Sequence, residues 1–505
     1  MGPSAQVSEP LSPWEKAFER LRYRLGLTLA PVLFALLWCW PMPGLNGEAH
    51  RLAAVMGAVV VLWVTEALPL PVTAMIGASA CVVLRVAPAK NVFAPFADPL
   101  MFLFIGSFIL ARAIFLHRLD RRVAMGVLSL PWVGQRPGRV LFAFGAVTAV
   151  VSAWISNTAT TAMMFAIGLS ILAFVFERPP ESGVAVRRQY ATGLMLMTSF
   201  SASIGGMATP VGTPPNVIGL GFIRNTLGVE FTFFKWMLVG VPAAAVLYLF
   251  LFGYLNYFCQ AGVTELEGSR ELLRREKAAL GGWTTGQRST LIAFLATVLL
   301  WIVPGAVALV LGEESAAYRF LNASLPEAVA ALLGACLLFL LPGGHGRRAI
   351  TWAEAREIDW GVVVLYGGGF ALGVLSSQTG LAEAIGRGVT GLLPVERGLS
   401  LLVASTLLAT FVSEVTSNTA SANIVVPVVM AVAQQVGVDP LEPALGATLG
   451  ASLGFMLPVS TPCNAIVYGS GYIPLGRMIR YGVLLDIAGA AVIVVLVKLL
   501  VPLLR

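Results

Sequence analysis

Two copies of the triplet Ser-Asn-Thr lie inside strongly apolar stretches of this chain, at residues 156–158 and 417–419. Each copy follows another serine by four residues, Ser152 in the first case and Ser413 in the second. Hydroxyl and amide oxygens are hard ligands that suit Na⁺, and hydroxyl and amide hydrogens suit the oxygens of a carboxylate or a sulfate. One copy could equally cap a helix or join two helices, but two matched copies favour a binding role.

A second pair of motifs follows the triplets: Gly-Thr-Pro-Pro-Asn at 212–216 and Ser-Thr-Pro-Cys-Asn at 460–464. Proline removes a backbone donor and clashes with the preceding turn, so we expect the surrounding helices to break near Pro214 and Pro462. A helix broken at membrane depth exposes half-helix ends that favour ions, and it is tolerated where it lines a protected, wet cavity.

None of these four segments contains a lysine or an arginine. Burying a dianion without a counter-charge is very costly, so a site of this composition must obtain positive charge from bound ions. Sodium ions beside the anion would supply that charge and would couple uptake to the sodium gradient. Each positive charge that moves inward gains about 2.3 kcal/mol per 100 mV of membrane potential.

The elements that position these motifs must lie in a membrane. Hydrophobic residues make up 57% of the 505 positions and charged residues 12%, and the mean hydropathy is +0.83. Soluble domains carry about twice that charged fraction. The net charge of +7 is not gathered into a basic stripe, which argues against nucleic acid as a partner, and the five cysteines have no metal-ligand or disulfide spacing. The sequence therefore predicts an all-α polytopic membrane protein.

Eleven crossings and two re-entrant helical hairpins account for the apolar segments. The segments 138–176 and 398–435 are too long for one crossing, and each has a triplet near its middle. With a cytoplasmic N-terminus, most of the 33 lysines and arginines lie inside, as the positive-inside rule requires. An ordinary crossing at 138–176 would place Arg178, Arg187 and Arg188 outside. The predicted order is a cytoplasmic segment (1–24), a first transmembrane helix (25–51), a first repeat (52–258), a cytoplasmic linker (259–288) and a second repeat (289–505).

The two repeats carry the same motifs in the same order. The triplets are 261 residues apart, and the two Pro-Asn motifs are 248 residues apart. In the predicted topology the first hairpin enters from the cytoplasm and the second from outside. This arrangement is an inverted repeat, which is the architecture of many secondary transporters.

The sequence resembles the divalent anion/sodium symporters, a family whose members carry dicarboxylates, citrate or sulfate. The stretches that carry the likeness are WVTEALPLPVTAM at 63–75, both triplets, and ASLGFMLPVSTPCNAIV at 451–467. The likeness covers nearly the whole chain after the first span. It implies a homodimer in which each protomer has a scaffold domain and a transport domain that moves as an elevator.

The resemblance also implies a set of binding residues. A first sodium site would comprise Ser152, Ser156, Asn157 and the backbone of Gly212. A second would comprise Ser413, Thr416, Asn418 and the backbone of Ser460. The substrate anion would contact Asn157, Thr158, Thr213, Asn418, Thr419, Thr461 and Pro462.

Five other positions need separate interpretation. Cys463 stands where the family's pattern has a second proline, and Ser413 where threonine is common; either could tune the second sodium site. For Glu66 we favour a structural role, because it ends a predicted span. Glu414 could bias cation binding or pair locally, and Asp486 is expected in packing or at an interface.

These features favour sodium-coupled import of a small divalent anion, a C4-dicarboxylate such as succinate, malate or fumarate, across the inner membrane of a bacterium. A sodium-independent dicarboxylate exchanger and a sulfate transporter of the same fold are the alternatives. An enzyme is disfavoured, because no general base, metal cluster or nucleotide loop accompanies the serines. The three histidines, His50, His117 and His345, are expected in loops.

Overall fold

A computed structural model describes residues 13–177, 186–390 and 398–504 of the protein. This part of the chain is almost entirely helical, and its only strands are the short antiparallel pair β1 (Pro342–Gly344) and β2 (Arg347–Arg348). Nine of the described helices are long and apolar enough to cross a membrane, and a bent pair would make a tenth. The prediction of an all-α polytopic membrane protein is confirmed. Residues 1–12 of the predicted cytoplasmic segment, and Arg178, lie outside the described residues.

The helices of the first half begin at signals that the sequence supplies. Asp98 accepts a hydrogen bond from the Leu100 amide (2.8 Å) ahead of α5, and proline occupies the first turn of α5, α7 and α10. The helices are α1 (Pro13–Cys39), α2 (Gly47–Thr65), α3 (Leu70–Val83), α4 (Ala89–Phe93), α5 (Pro99–Leu116), α6 (Leu119–Leu128), α7 (Pro137–Ser152), α8 (Asn157–Glu177), α9 (Arg188–Gly206), α10 (Pro214–Leu227) and α11 (Phe233–Phe258), with a 3₁₀ turn (Ala94–Ala97) after α4.

The second half repeats several of these signals. Asp359, 261 residues after Asp98, caps α17 by accepting from the Val362 amide (3.3 Å). The remaining helices are α12 (Ser269–Ala279), α13 (Thr285–Leu311), α14 (Ala316–Ser324), α15 (Glu327–Leu340), α16 (Trp352–Ala355), α17 (Trp360–Thr379), α18 (Leu381–Thr390), α19 (Gly398–Val415), α20 (Asn418–Gln435), α21 (Leu441–Gly450), α22 (Pro462–Tyr468) and α23 (Leu475–Leu500), with a final 3₁₀ turn (Val501–Leu503). Helix α12 lies within the predicted linker.

The polar motifs lie where helices end and begin. Helices α7 and α8 meet at the first triplet, and α19 and α20 meet at the second. The helices expected to break near Pro214 and Pro462 are each interrupted, and the helix after each interruption starts at that proline, α10 at Pro214 and α22 at Pro462. Proline fits the first turn of a helix because the amide it lacks would have no partner there.

The two halves interlock through corresponding elements. Helix α5 of the first half packs on α15 of the second, and α17 packs on α3. Helices of opposite halves also pack against each other around the motifs: α8 packs on α22, and α20 packs on α10. Phe200 of α9 and Phe455, both buried, meet edge to face with ring centroids 5.0 Å apart. The helix that follows each triplet therefore packs against the interrupted helix of the opposite half.

Glu66 and His50 both contact residues of α1. Glu66 follows α2 in a left-handed conformation (φ 45°), and its carboxylate pairs with Arg22 at 2.8 Å. This pair ties α1 to the α2–α3 turn, as the structural interpretation of Glu66 proposed. The prediction that His50 lies in a loop is wrong: it lies in the first turn of α2, where its ring Nε2 hydrogen-bonds to the Leu37 carbonyl (2.7 Å).

Candidate functional site

Each triplet forms the tip of a helix–turn–helix, and the same hydrogen bond closes both tips. The Ser152 hydroxyl donates to Oδ1 of Asn157 over 2.7 Å, and the Ser413 hydroxyl donates to Oδ1 of Asn418 over 2.7 Å. Both bonds span the turn between the two helices, so each serine fixes the orientation of the asparagine amide. The serine that precedes each triplet thus has a defined role in shaping the tip.

The interrupted helices are held open by a second repeated contact. The Nδ2 atom of Asn216 donates to the carbonyls of Gly206 (2.9 Å) and Thr209 (2.8 Å). In the second half, Nδ2 of Asn464 donates to the carbonyls of Gly454 (2.9 Å) and Leu457 (3.0 Å). These bonds satisfy carbonyls that helix continuation would have paired. From the sequence, Asn216 and Asn464 are identified only as the last residues of their motifs. Asn216 follows Gly206 by the same number of residues as Asn464 follows Gly454, and this equal spacing could have indicated that both asparagines clamp the interrupted helices.

In the first half, the tip and the interruption lie against each other. A Cβ placed on Gly206 would come within 2.3 Å of Asn157 Oδ1, and one on Gly212 would come within 2.5 Å of the Gly206 carbonyl and 3.0 Å of the Ala153 carbonyl. Side-chain and backbone oxygens of both segments therefore surround one small space. Of the predicted first sodium site, Ser152, Asn157 and Gly212 are brought together.

The second half makes the corresponding arrangement. A Cβ on Gly454 would lie 3.2 Å from both Asn418 Oδ1 and Ser413 Oγ, and the Ser413 hydroxyl lies 2.8 Å from the Ala451 carbonyl. The Ser460 hydroxyl lies 3.0 Å from the Glu414 carbonyl oxygen. Ser413, Asn418 and Ser460 are therefore joined around the second tip.

The two remaining predicted sodium ligands with side-chain hydroxyls, Ser156 and Thr416, lie at the same tips. The Ser156 side chain is exposed at the first tip, and its backbone carbonyl accepts from the Thr160 amide (3.0 Å) in the first turn of α8. The Thr416 hydroxyl donates to the Val412 carbonyl of its own helix (2.9 Å), and the residue at the matching position of the first half is Ile155. The tip bonds and the clamps are thus repeated, and Ser156 matches Ser417, whereas the Thr416 hydroxyl has no counterpart in the first half.

The predicted substrate residues border the same segments. Thr213 and Thr461 are buried residues in extended conformation directly before α10 and α22, and the Thr461 hydroxyl accepts from the Asn464 amide (3.1 Å). Pro462 and Thr158 are exposed, and Thr419 is half-buried. Open space therefore adjoins both the tips and the start of α22.

Contact across the halves is direct at one of these positions. The Cys463 thiol, on α22, lies beside the hydroxyls of Thr158 and Thr161, on α8. Cys463 is buried, and so is Thr161. The cysteine that replaces a proline of the family's pattern therefore packs against the first tip from the opposite half.

Formal charge is scarce around the tips. None of the ion pairs within the described ranges includes a residue of the triplets or of the two Pro-Asn motifs. The nearby carboxylate of Glu414 is buried, and it accepts from the amides of Met456 (2.9 Å) and Leu457 (3.3 Å) and from the Ser460 hydroxyl (2.6 Å). Glu414 therefore pairs locally and shapes the loop that leads to α22.

The arrangement described above can be compared with known proteins. The family model described as "Sodium:sulfate symporter transmembrane region" matches residues 22–504. This chain belongs to the divalent anion/sodium symporter family. Membership makes it a multi-pass membrane transporter, in agreement with its apolar helices.

Two relatives and one solved structure are similar to this chain over most of its length. It is 32% identical over 491 residues to the sodium-dependent dicarboxylate transporter SdcS of Staphylococcus saprophyticus, covering 95% of this chain and 91% of that protein. Identity to the protein of the same name from Staphylococcus aureus is 31% over 485 residues, again covering 95% and 91%. The structure of MtrF from Neisseria gonorrhoeae, described as illuminating a class of antimetabolite efflux pumps, is similar with a TM-score of 0.55 and 16% identity, covering 95% of this chain and 97% of that one. That last likeness concerns the fold alone.

Proposed function

We propose that this transporter imports a small dicarboxylate together with Na⁺, and that C4-dicarboxylates such as succinate, malate and fumarate are its preferred substrates. Relatives named sodium-dependent dicarboxylate transporters match nearly the whole chain, which supports this substrate class and this coupling ion. A sulfate carrier is the second candidate, because the description of the matching family model names sulfate.

The observation that carries the proposal is the pair of equivalent, uncharged tips. Ser152–Asn157 in one half and Ser413–Asn418 in the other present oriented amide groups beside interrupted helices. One sodium ion would bind at each tip, the first to Ser152, Ser156, Asn157 and the Gly212 backbone, the second to Ser413, Thr416, Asn418 and the Ser460 backbone. Oxygen atoms of hydroxyl, amide and carbonyl groups are suitable ligands for a hard cation.

The substrate would lie between the tips. Asn157, Thr158, Thr213, Asn418, Thr419, Thr461 and Pro462 would contact its carboxylates. Hydroxyl and amide hydrogens can donate to carboxylate oxygens, but they carry no net charge. Two sodium ions would neutralise a dianion, so substrate binding would require sodium to be bound.

Movement of the site is the remaining part of the proposal. We propose an elevator in which the tips and the interrupted helices travel together past a scaffold, in a homodimer with a cytoplasmic N-terminus in a bacterial inner membrane. The repeats 52–258 and 289–505, with hairpins 138–176 and 398–435 entering from opposite sides, would supply inward- and outward-facing states related by pseudo-symmetry.

Uptake of labelled succinate into proteoliposomes tests coupling and substrate together. Uptake should be rapid with external sodium and absent when choline replaces it. Undiminished uptake in choline would favour the sodium-independent exchanger. Competition by succinate, citrate and sulfate then ranks the substrates, and stronger inhibition by sulfate than by succinate would select the sulfate carrier.

Substitution of the tip asparagines tests the site itself. Asn157→Ala and Asn418→Ala should each abolish uptake without changing expression or oligomeric state, because each removes both a sodium ligand and a substrate contact. Asn91→Ala, which alters an exposed asparagine of α4, serves as the matched control and should transport normally. Normal transport by both tip variants would mean that the tips serve only packing.

A further inference from the structure

Three arginines surround a cavity that the proposed function does not use. Arg187 and Arg188 stand at the start of α9, and Arg477 lies in the first turn of α23. Together they line a cavity of about 600 Å³, and the lining residues of the described ranges include no aspartate or glutamate. Within those ranges, none of the three guanidinium groups takes part in an ion pair or a side-chain hydrogen bond. Like charges around one cavity repel each other, so the cavity favours an anionic occupant.

The walls of this cavity are anchored to one another. The hydroxyl of Thr192, one turn after Arg188, is buried and donates to the Tyr472 carbonyl over 2.7 Å. The Arg188 guanidinium lies over the Tyr472 ring, with Cζ 6.0 Å from the ring centroid. The Arg187 amide donates to the Ala261 carbonyl (2.8 Å), which follows α11. The backbone that carries the arginines of α9 is therefore tied to two other segments of the chain.

Two helices start at the cavity. Helices α9 and α23 are 19 and 26 residues long, and in neither does a side chain cap the first turn. The first amides of a helix lack intrahelical partners, and the helix dipole adds positive charge there, so both starts favour the same anion as the arginines. Guanidinium groups bind phosphate oxygens in pairs, and helix amides donate to them. A phosphate group therefore suits this cavity.

An apolar surface continues from the cavity along α23. Leu484 and Val495, which follow Arg477 by seven and eighteen residues, are exposed on the same face of this helix, and exposed Ile487 lies beside them. Helix α23 belongs to a candidate membrane span, Leu475–Leu503. With the N-terminus cytoplasmic, as proposed above, the arginines would lie at the level of the cytoplasmic headgroups and the apolar residues at the level of the acyl chains. A soluble anion would contact the arginines alone, whereas a phospholipid would contact both surfaces.

We propose that this cavity binds the phosphate of an anionic phospholipid, whose acyl chains lie along the exposed apolar face of α23. The inference goes beyond the proposed function, because it depends on neither the substrate nor the coupling ion. Basic pockets at the cytoplasmic ends of transmembrane helices recognise anionic lipid headgroups in this way. Helix α9 runs from the cavity to Gly206, which faces Asn157, so the lipid would bind to the helix that adjoins the first tip.

Binding of dioleoyl phosphatidylglycerol to the purified transporter in a neutral detergent, counted by native mass spectrometry, tests the proposal. The pocket variant combines Arg187→Gln, Arg188→Gln and Arg477→Gln. Its affinity for this lipid should fall on the order of a hundredfold, which is the combined effect of three basic residues at a membrane surface. An affinity equal to that of wild type would overturn the proposal.

The chain offers a matched control on α12. Arg270, Arg274 and Lys277 are exposed there, and the ion pairs of the described ranges include none of them. Replacement of all three by glutamine removes the same charge as the pocket variant does, and this control variant should bind the lipid as wild type does. An equal loss of affinity in the control and pocket variants would show that net charge, and no particular site, attracts the lipid.

Three other ligands distinguish the sources of binding. Dioleoyl phosphatidylcholine has the same acyl chains and no net charge, and it should bind wild type much more weakly; equal binding would overturn the role of the arginines. Inorganic phosphate and succinate should not displace the bound lipid. Displacement by either, with equally tight binding to lipid-free protein, would assign the cavity to a soluble anion. Loss of the oligomer in the pocket variant would instead assign this face to a second copy of the chain.

Thermal unfolding separates a lipid site from a structural contact. Phosphatidylglycerol should raise the unfolding temperature of wild type and of the control variant, and it should leave that of the pocket variant unchanged. In neutral detergent without lipid, the pocket variant should be as stable as wild type or more so, because it lacks the repulsion between the arginines. A lower unfolding temperature there would show that the arginines serve packing, and equal stabilisation of all three proteins by the lipid would overturn the site.

Discussion

The glycines that face the two tips allow a sharp test, because the structure gives them different clearances. A Cβ at Gly206 would lie 2.3 Å from Asn157 Oδ1 and 2.8 Å from its Nδ2, whereas one at Gly454 would lie 3.2 Å from Asn418 Oδ1. Gly206→Ala therefore forces the Asn157 amide to move by about 1 Å, a distance that its 2.7 Å bond from Ser152 does not survive. Gly454→Ala needs a shift of only a few tenths of an ångström.

The expected magnitudes follow from the contacts. Loss of one hydrogen bond and misplacement of one sodium ligand should cost about 1–1.4 kcal/mol, which is about a five- to tenfold rise in the apparent sodium constant. Gly454→Ala should change that constant by less than about twofold. Because Gly206 is the last residue of α9, alanine there does not weaken the helix, so poor folding should not obscure the result.

The assay is succinate uptake into proteoliposomes as a function of external sodium, with expression and thermal unfolding measured beside it. Gly206→Ala should shift the sodium curve strongly, and Gly454→Ala should nearly superimpose on wild type. Equal effects of the two substitutions, or a larger effect at Gly454, would refute the inference that the Asn157 amide binds sodium in the orientation described.

Three further predictions concern substrate contact, a buried ion pair and pH. Thr158→Ala and Thr419→Ala should raise the apparent succinate constant with little change in the sodium constant; unchanged succinate constants would remove these residues from the substrate site. Arg224 pairs with the buried Asp98 at 2.6 Å, so Arg224→Ala should destabilise the protein by about 3–5 kcal/mol, and an unchanged unfolding temperature would contradict this. Burial raises the pKa of Asp120, in α6 outside the spans, to about 6; its charged form therefore costs about 3 kcal/mol of stability at neutral pH, and that cost disappears as the pH falls toward 4. Asp120→Asn should accordingly raise the unfolding temperature at pH 7 but not at pH 4, and a gain equal at both values would exclude titration as the cause.

Local sequence signals were enough to predict the elements around the site. The prolines at 214 and 462 mark helix starts because the amide that proline lacks would have no partner in the first turn of a helix. The triplets mark turns because hydroxyl and amide groups there bond across a break. The internal repeat is also visible in the sequence, because the offset between the two triplets and the offset between the two Pro-Asn motifs can be counted directly. What the sequence indicates well is therefore what neighbouring residues decide.

Contacts between distant elements were beyond such reasoning. Asp486 and Glu414 come from separate helices, and nothing in either local stretch indicates that the two carboxylates meet. The histidine at position 50 follows the polar loop after α1, and its place in α2 depends on an asparagine cap and on the Leu37 carbonyl. The direction of the Thr416 hydroxyl, toward its own helix, is likewise a matter of rotamer and packing.

Succinate binding to the purified protein in the complete absence of sodium tests most directly whether neutral tips hold a dianion only beside bound cations. Titration calorimetry in choline should give no measurable binding heat, and added sodium should restore saturable binding. Binding of succinate with the same affinity in choline as in sodium would contradict the account, because the pocket would then have to supply its own positive charge.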